Sequence, residues 1–399
     1  MIKNKNIWIL LVGEFIAGFG LWLGIIGDLA FMQDKIPSDF HKSLILATGI
    51  LAGIALGPLA GKAVDQMKKK TIMLYAGVGR LISTGFMLIA IETGSIVWMI
   101  AFLISINIAA AFYFPALQAA IPLVTEESEL VKVNGLHMNI STLSRIAGTA
   151  AAGIFLSLMS LTMLYIIAGI AYTVLLLLTM QLKIDEKQEE AGRVVHEEKQ
   201  SRGFMKVFPV IREHPAVIPT MLLTLAPLLF IGGFNLIIIN VSEILEDPAV
   251  KGWLYTIEGV AFILGTLFVR RFDHSMPAKS LFAFAMLIGL SQLMLIYVTY
   301  APVALLAFAL FGFAVGSFFP LATTMFQTTI PSPYHGRFFS FRGMLDDFIY
   351  QFILIVTGLL LDTLALQQMM FGYGLLSLVL AFGYLMRVRG LRVIQGDGG

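Results

Sequence analysis

The chain has 399 residues, 58% hydrophobic and only 13% charged, with a net charge of +2 and a mean hydropathy of +0.86. A soluble domain carries about a quarter charged residues, so half of the usual charge is replaced by apolar surface, which a bilayer hides and water does not. The small net charge argues against nucleic acid as a partner, and the absence of cysteine excludes disulfides and thiolate metal sites.

A spanning helix needs about 20 apolar residues. Such spans are predicted at 7–32, 43–64, 71–91, 95–122, 133–158, 161–182, 216–240, 251–270, 277–298, 301–328, 337–362 and 365–387. The first, Ile7 to Met32, exceeds the length of a signal-peptide core and reads as a retained span. The expected fold class is therefore an all-α membrane protein with twelve transmembrane helices in two six-helix halves. The halves are 1–182 and 215–399, joined by a cytoplasmic linker at 183–214. Lys183 to Ser201 is polar with mixed charge and reads as flexible. Gly203 to His214 alternates Phe204, Val207, Phe208 and Ile211 with Lys206 and Arg212, as suits a short helix on the inner membrane surface.

Twelve spans put both termini on one side. Of the 27 lysines and arginines, Lys35, Lys42 and Lys251 fall on the opposite side and Arg80, Arg145 and Arg342 inside spans, which leaves 21 with the termini. The positive-inside rule makes that side the cytoplasm, with the chain multi-pass in the plasma or inner membrane.

A Gly-x7-Asp signature opens a basic turn in each half. The first copy is Gly57-Pro58-Leu59-Ala60-Gly61-Lys62-Ala63-Val64-Asp65, followed by Lys68, Lys69 and Lys70, and the second runs from Gly265 to Asp273, followed by His274 and Lys279. Such internal repetition in a polytopic chain points to a transporter. With the 6+6 arrangement, the signature resembles the cytoplasmic loop motif of the major facilitator superfamily, with Gly61 where many members have the first acid and Gln66 where many have arginine. Two stretches resemble the macrolide-efflux and enterobactin-exporter-like branch of its drug:proton antiporters. They are Ala111-Phe112-Tyr113-Phe114-Pro115-Ala116-Leu117-Gln118 onward to Val124 with Leu130, Asn134 and Leu136, and Gln327-Thr328-Thr329-Ile330-Pro331 with Gly336-Arg337. The resemblance implies a central cavity lined by spans 1, 4, 7 and 10, with 2, 5, 8 and 11 between the halves, and transport by rocking about a midplane site.

Ionisable groups inside a membrane are costly and therefore informative. The proton-coupling candidates are Glu14 and Asp28 on span 1, Glu258 on span 8, and Asp346 and Asp347 on span 11. Glu14 and Asp28 are about 21 Å apart along a helix and about 40° apart around it, on one face with Gly18, Leu21 and Ile25. They read as proton-carrying or cation-attracting carboxylates on a cavity helix, and the competing reading is that Asp28 sits in the outer interface with Asp34. Glu258 shares a face with Gly265, and reads either as a carboxylate between halves or as a buried acid bonded to a carbonyl. Arg342 lies one turn before Asp346 and can pair with it, whereas Asp347 points about 100° away. Asp347 is a protonation site, or else a breakable partner for Arg145. Arg145 shares a stripe with Asn134, Ser141 and Gly148, followed by Thr149-Ala150-Ala151-Ala152-Gly153. This stretch resembles the antiporter motif of drug exporters, with Thr149 where proline usually stands. Arg80 on span 3 reads as structural, bonded to carbonyls or an acid.

The gating and conformational candidates are Gly57, Asp65, Lys69, Arg145, Gly148, Gly153, Asp273, Arg337 and Arg342. The resemblance implies that Asp65 faces the positive end of span 11 near Gly336 and Arg337, latching the inward-closed state. Uncharged cavity candidates are Trp22, Asn107, Phe112, Tyr113, Gln118, Phe230, Asn235, Phe318 and Phe319; aromatics with isolated amides suit large amphipathic molecules, and the competing reading is ordinary helix packing. Pro115, Pro122, Pro227 and Pro320 can kink helices near such a site.

Nothing in the sequence supports an enzyme or a cofactor. No GxxxxGK[ST] loop is present, and the six histidines show no metal-ligand spacing. His137, placed inside span 5, reads as a packing residue. The expected partners are a small-molecule solute, protons and the lipid bilayer, and the expected state is a monomer. Three functions remain open on these residues: proton-coupled efflux of amphipathic drug-like compounds, dedicated export of one metabolite such as a siderophore or peptide-like product, and a lipid transporter or a non-transporting membrane scaffold.

Overall fold

The computed structural model of the protein describes residues 4–126, 129–184, 207–269, 277–331 and 334–396. Fourteen α-helices follow one another among them: α1 (Lys5–Lys35), α2 (Asp39–Gln66), α3 (Lys69–Thr93), α4 (Ile96–Val124), α5 (Leu130–Leu158), α6 (Leu161–Gln181), α7 (Val207–Glu213), α8 (Val217–Leu223), α9 (Leu225–Ile244), α10 (Val250–Val269), α11 (Pro277–Met294), α12 (Ala301–Thr329), α13 (His335–Thr363) and α14 (Leu366–Gly396). Among the described residues, twelve segments are long and apolar enough to cross a membrane, with α8 and α9 together forming one of them.

The chain cues at helix ends are local. Asn4, Ser38 and Ser160 each accept from a backbone N–H in the first turn of α1, α2 and α6, as short polar side chains do where helical amides lack partners. Gly94 closes α3 at φ 67°, a left-handed position that favours glycine. The polar linker lies outside the described residues up to 206, and of the expected surface helix at 203–214 the structure describes the seven-residue α7.

Span 7 departs from the continuous helix expected at 216–240. It breaks at Thr224 between α8 and α9. Pro227 has no N–H to return to the carbonyl of Leu223, so the ladder is interrupted there, and beside the break the Thr224 hydroxyl donates to the carbonyl of Met221 at 2.7 Å.

The chain forms two compact units. The first comprises residues 1–194 with 247–256, so that it takes the opening turns of α10, and the second comprises 195–246 with 257–399. In the first unit, α1 is seated between α5 and α6, and α4 packs on α2 and α3. Its start is tied down by Asn4, whose amide donates to the carbonyl of Val124 at 2.7 Å, and by Asn6, which donates to the carbonyl of Lys183 at 2.7 Å. In the second unit, α11 packs on α12 and α14, and α9 on α13 and α14. A buried polar node joins three of these helices: Gln292 donates to the carbonyl of Ala226 at 3.1 Å and accepts from Ser377 at 2.7 Å. Such a satisfied network holds helices together where no hydrophobic drive exists.

Candidate functional site

The α1 helix carries three of the candidates, Glu14, Trp22 and Asp28. It runs parallel to α5 in a register set by small residues: Gly18 lies against Ser144, and Gly148 lies against the backbone of Phe19 and the Cβ of Trp22. On its other flank Gly20 meets Ala168 and Ala171 of α6, and Gly27 meets Tyr165. Close backbone approach through small residues is how helices associate in lipid. It also fixes which α5 and α6 side chains lie opposite the polar groups of α1.

Three polar stations follow along α1. Glu14 is 4% exposed, and its Oε1 lies 3.9 Å from Nε2 of His137 on α5. Eight residues on, roughly 12 Å along the axis, the half-buried Trp22 meets Tyr255 of α10 edge to face, with ring centroids 5.7 Å apart. The guanidinium of Arg145 lies 5.9 Å from the same Trp22 ring, near the limit of a cation–π contact. Asp28, 6% exposed, accepts a hydrogen bond from the hydroxyl of Tyr165, which also approaches the Gly24 carbonyl at 2.9 Å. Tyr165 is itself packed edge to face on Phe102 at 5.8 Å. The structure thus brings together Glu14, Trp22, Arg145, Gly148 and Asp28 from the sequence candidates, and adds His137, Tyr165 and Tyr255.

Replacing Tyr165 by Phe removes the donor to a buried carboxyl, which costs about 1–3 kcal/mol. Tyr165→Phe is therefore expected to lower the melting temperature of the detergent-solubilised protein by several degrees, and Asp28→Asn in the same background to recover part of the loss. A Tyr165→Phe melting curve equal to wild type would show that the bond does not hold the helices.

Thr149, at the position where the antiporter motif has proline, keeps α5 continuous and gives the position a hydrogen bond. Its hydroxyl bonds the Arg145 carbonyl at 2.9 Å and lies 3.1 Å from the hydroxyl of Thr256 on α10. One turn further, Gly153 faces Gly252 and the carbonyl of Ala249.

Arg80 is 2% exposed and lies among aromatic rings rather than on an acid or carbonyls: its guanidinium sits 4.2 Å from the Tyr113 ring and 5.7 Å from those of Phe114 and Tyr172. Tyr113 is consequently buried in the core of the first unit with Leu117 and Ala116. Phe230 stacks on Phe311 at 4.0 Å, and Phe318 is wholly buried. Tyr113, Phe230 and Phe318 are thus the buried members of the cavity candidates. Phe112, Asn235 and Phe319 are half-buried, and Gln118 is exposed. Asn107 lines an open groove of about 400 Å³ with Ile50, Gly53, Ile54, Gly57 and Phe114, its amide donating to the Leu103 carbonyl at 2.8 Å.

In the second unit, Glu258 is 7% exposed on α10, with its backbone carbonyl against Gly312 of α12. The two helices are further clamped by Thr266 donating to the Gly316 carbonyl at 3.1 Å and Ser317 donating to that of Gly265 at 2.9 Å. The one-turn pair on α13 is present: Arg342 Nε lies 3.3 Å from Asp346 Oδ2, and the guanidinium lies 4.5 Å from the Phe326 ring. Asp347 is exposed. In the basic turn Lys69 is buried, and Lys70 donates to the Met180 carbonyl at the end of α6, at 2.7 Å. The side chains of Asp65 and Arg337 and the whole of Asp273 lie outside the described residues. Lys42 and Lys251, expected on the side opposite the termini, are also buried, Lys42 pairing with Asp39 at 2.9 Å.

Comparison with known proteins agrees with this architecture. The chain is 26% identical over 356 residues to the uncharacterized MFS-type transporter YfiS of Bacillus subtilis strain 168, covering 84% of this chain and 82% of that protein. It is 23% identical over 369 residues to macrolide efflux protein A of Streptococcus pyogenes, covering 88% of each. A shorter similarity, 25% over 154 residues, covers 38% of this chain and 36% of the lysophospholipid transporter LplT of Pectobacterium carotovorum subsp. carotovorum strain PC1. Its fold matches the crystal structure of a mutant form of the nucleoside transporter NupG with a TM-score of 0.76 at 15% identity, covering 96% of this chain and all of that one. The family profile of the Major Facilitator Superfamily matches residues 10–243. The chain is a multi-pass membrane protein with twelve candidate membrane helices, and it belongs to the Major Facilitator Superfamily of transporters.

Proposed function

We propose that the protein is a proton-coupled exporter of amphipathic, drug-like compounds, working by alternating access in the plasma or inner membrane with both termini cytoplasmic and acting as a monomer. The observation that carries this reading is the row on α1: two buried carboxyl groups, Glu14 and Asp28, on either side of the aromatic pair Trp22 and Tyr255. Buried acids in a span are costly, and in pumps and transporters they mark proton relays and substrate pathways. Aromatic faces suit a large apolar solute. Glu258, Asp346 and Asp347 are the candidates for a proton site in the second unit, and Asn107, Phe112, Gln118, Asn235 and Phe319 are the further cavity candidates that keep an open face. The similarity to macrolide efflux protein A supports efflux and a role in antibiotic resistance. The test is ethidium efflux from cells expressing the protein in a host without its own dye exporters. Efflux that stops on adding a proton uncoupler is expected. Equal dye retention with and without the correctly inserted protein would overturn this reading and favour export of one defined metabolite.

A second reading has its own observation. Arg145 places a cation beside Trp22, which suits an anionic headgroup on an apolar tail, and part of the chain resembles a lysophospholipid transporter. Flux of a fluorescent lysophospholipid in proteoliposomes, with no ethidium flux, would favour it.

A further inference from the structure

We propose that His137 and Glu14 act as one proton-handling pair, with His137 the positioning and relay residue for the carboxyl group; the inference deepens the proton-coupled reading and rests on it. His137 Nε2 is buried and has no hydrogen-bond partner, and Glu14 Oε1, 3.9 Å away, is its polar neighbour. That separation is ion-pair range but too long for a hydrogen bond. A shift of about 1 Å between α1 and α5 therefore makes or breaks a direct proton path.

The surroundings favour exchange within the pair. Leu136 and Ile140, on either side of His137 along α5, pack on the core that includes Ala17, Leu117 and Tyr113, so the pair sits in an apolar shell. Among the described residues, Tyr113 from α4 lies within electrostatic reach of Glu14, and behind it Arg80 from α3 sits 4.2 Å from the Tyr113 ring and 5.7 Å from that of Tyr172 on α6. On α5 itself Arg145 follows two turns later, about 12 Å away. Arg80 cannot release a proton, so it supplies fixed charge only. An imidazole can. When the Nε2 proton of the imidazolium passes to the carboxylate oxygen of Glu14, the pair goes from one positive and one negative charge to two neutral groups. Net charge is zero before and after, so the transfer avoids leaving an isolated ion in the apolar interior. A lone buried carboxylate has no such route.

The experiment uses the full chain in lipid nanodiscs with isotopically labelled histidine, and follows the imidazole signals against pH by NMR; His137→Gln identifies the signal. If the two act as one pair, Glu14→Gln changes the His137 titration curve. An unchanged curve overturns the pair, and because Glu14→Gln is isosteric, a folded spectrum for the other histidines shows that the variant is intact. In everted vesicles, His137→Gln is expected to change the pH profile of ethidium uptake, whereas Leu136→Ala, a packing neighbour, changes its rate but not its profile. Identical profiles for His137→Gln and wild type also overturn the pair. Absence of ethidium uptake by wild type overturns the efflux reading alone, and the NMR titration then decides the pair.

Discussion

Glu14→Gln is expected to lower uncoupler-sensitive ethidium efflux at least tenfold, a loss of about 1.4 kcal/mol or more in the coupled step. The substitution keeps the size and shape of the side chain and removes only its ability to gain and lose a proton. Poor insertion does not account for such a loss, because an ionisable side chain in a span costs about 2.5–3.5 kcal/mol on insertion scales and an uncharged amide costs less. The variant should therefore reach the membrane at least as well as wild type. Efflux per inserted molecule, with protein quantified in the same membranes, is the measurement. Full activity in Glu14→Gln would take the first buried carboxyl group out of the mechanism and leave Asp28 as the candidate on α1.

The second large effect is on stability. Gly252→Ala places a methyl group 2.6 Å from both Cα and N of Gly153 and closer still to the carbonyl of Thr149, so backbone must move. Overpacking of this kind costs about 1–3 kcal/mol. The melting temperature in detergent should fall by several degrees and the Thr149–Thr256 contact should be lost. Gly57→Ala is the contrasting case. A methyl group there meets nothing within 4 Å, and replacing a helical glycine gains about 1 kcal/mol of helix propensity. Equal melting temperatures for Gly252→Ala and wild type would show that the α5 and α10 backbones are not in contact in the membrane.

The twelve spans were legible in the sequence because a bilayer demands about 20 apolar residues wherever a helix crosses it. The break in span 7 was less so. Pro227 was visible, but proline in a membrane helix either kinks it or is absorbed, and the outcome depends on how the surrounding helices and side chains re-satisfy the freed carbonyl. The i,i+4 pair of Arg342 and Asp346 was readable because its spacing lies within one helix. The partners of the α1 acids were not. Tyr165 is 137 residues from Asp28, and His137 is 123 from Glu14; each meeting depends on the register in which small residues dock α1 against α6 and α5. Aromatic residues were legible as a class but not one by one. Hydropathy alone does not separate Trp22, which keeps an open face, from Phe230, which stacks on Phe311.

The measurement that tests the central claim most directly is proton movement on adding ethidium to everted membrane vesicles containing the protein. The vesicles are energised to an acid interior and followed with a pH-sensitive dye. Exchange of dye for protons predicts an immediate, saturable loss of the pH gradient in wild-type vesicles, strongly reduced in Glu14→Gln. A pH gradient unchanged while ethidium accumulates would contradict it, because the solute would then be moving without protons.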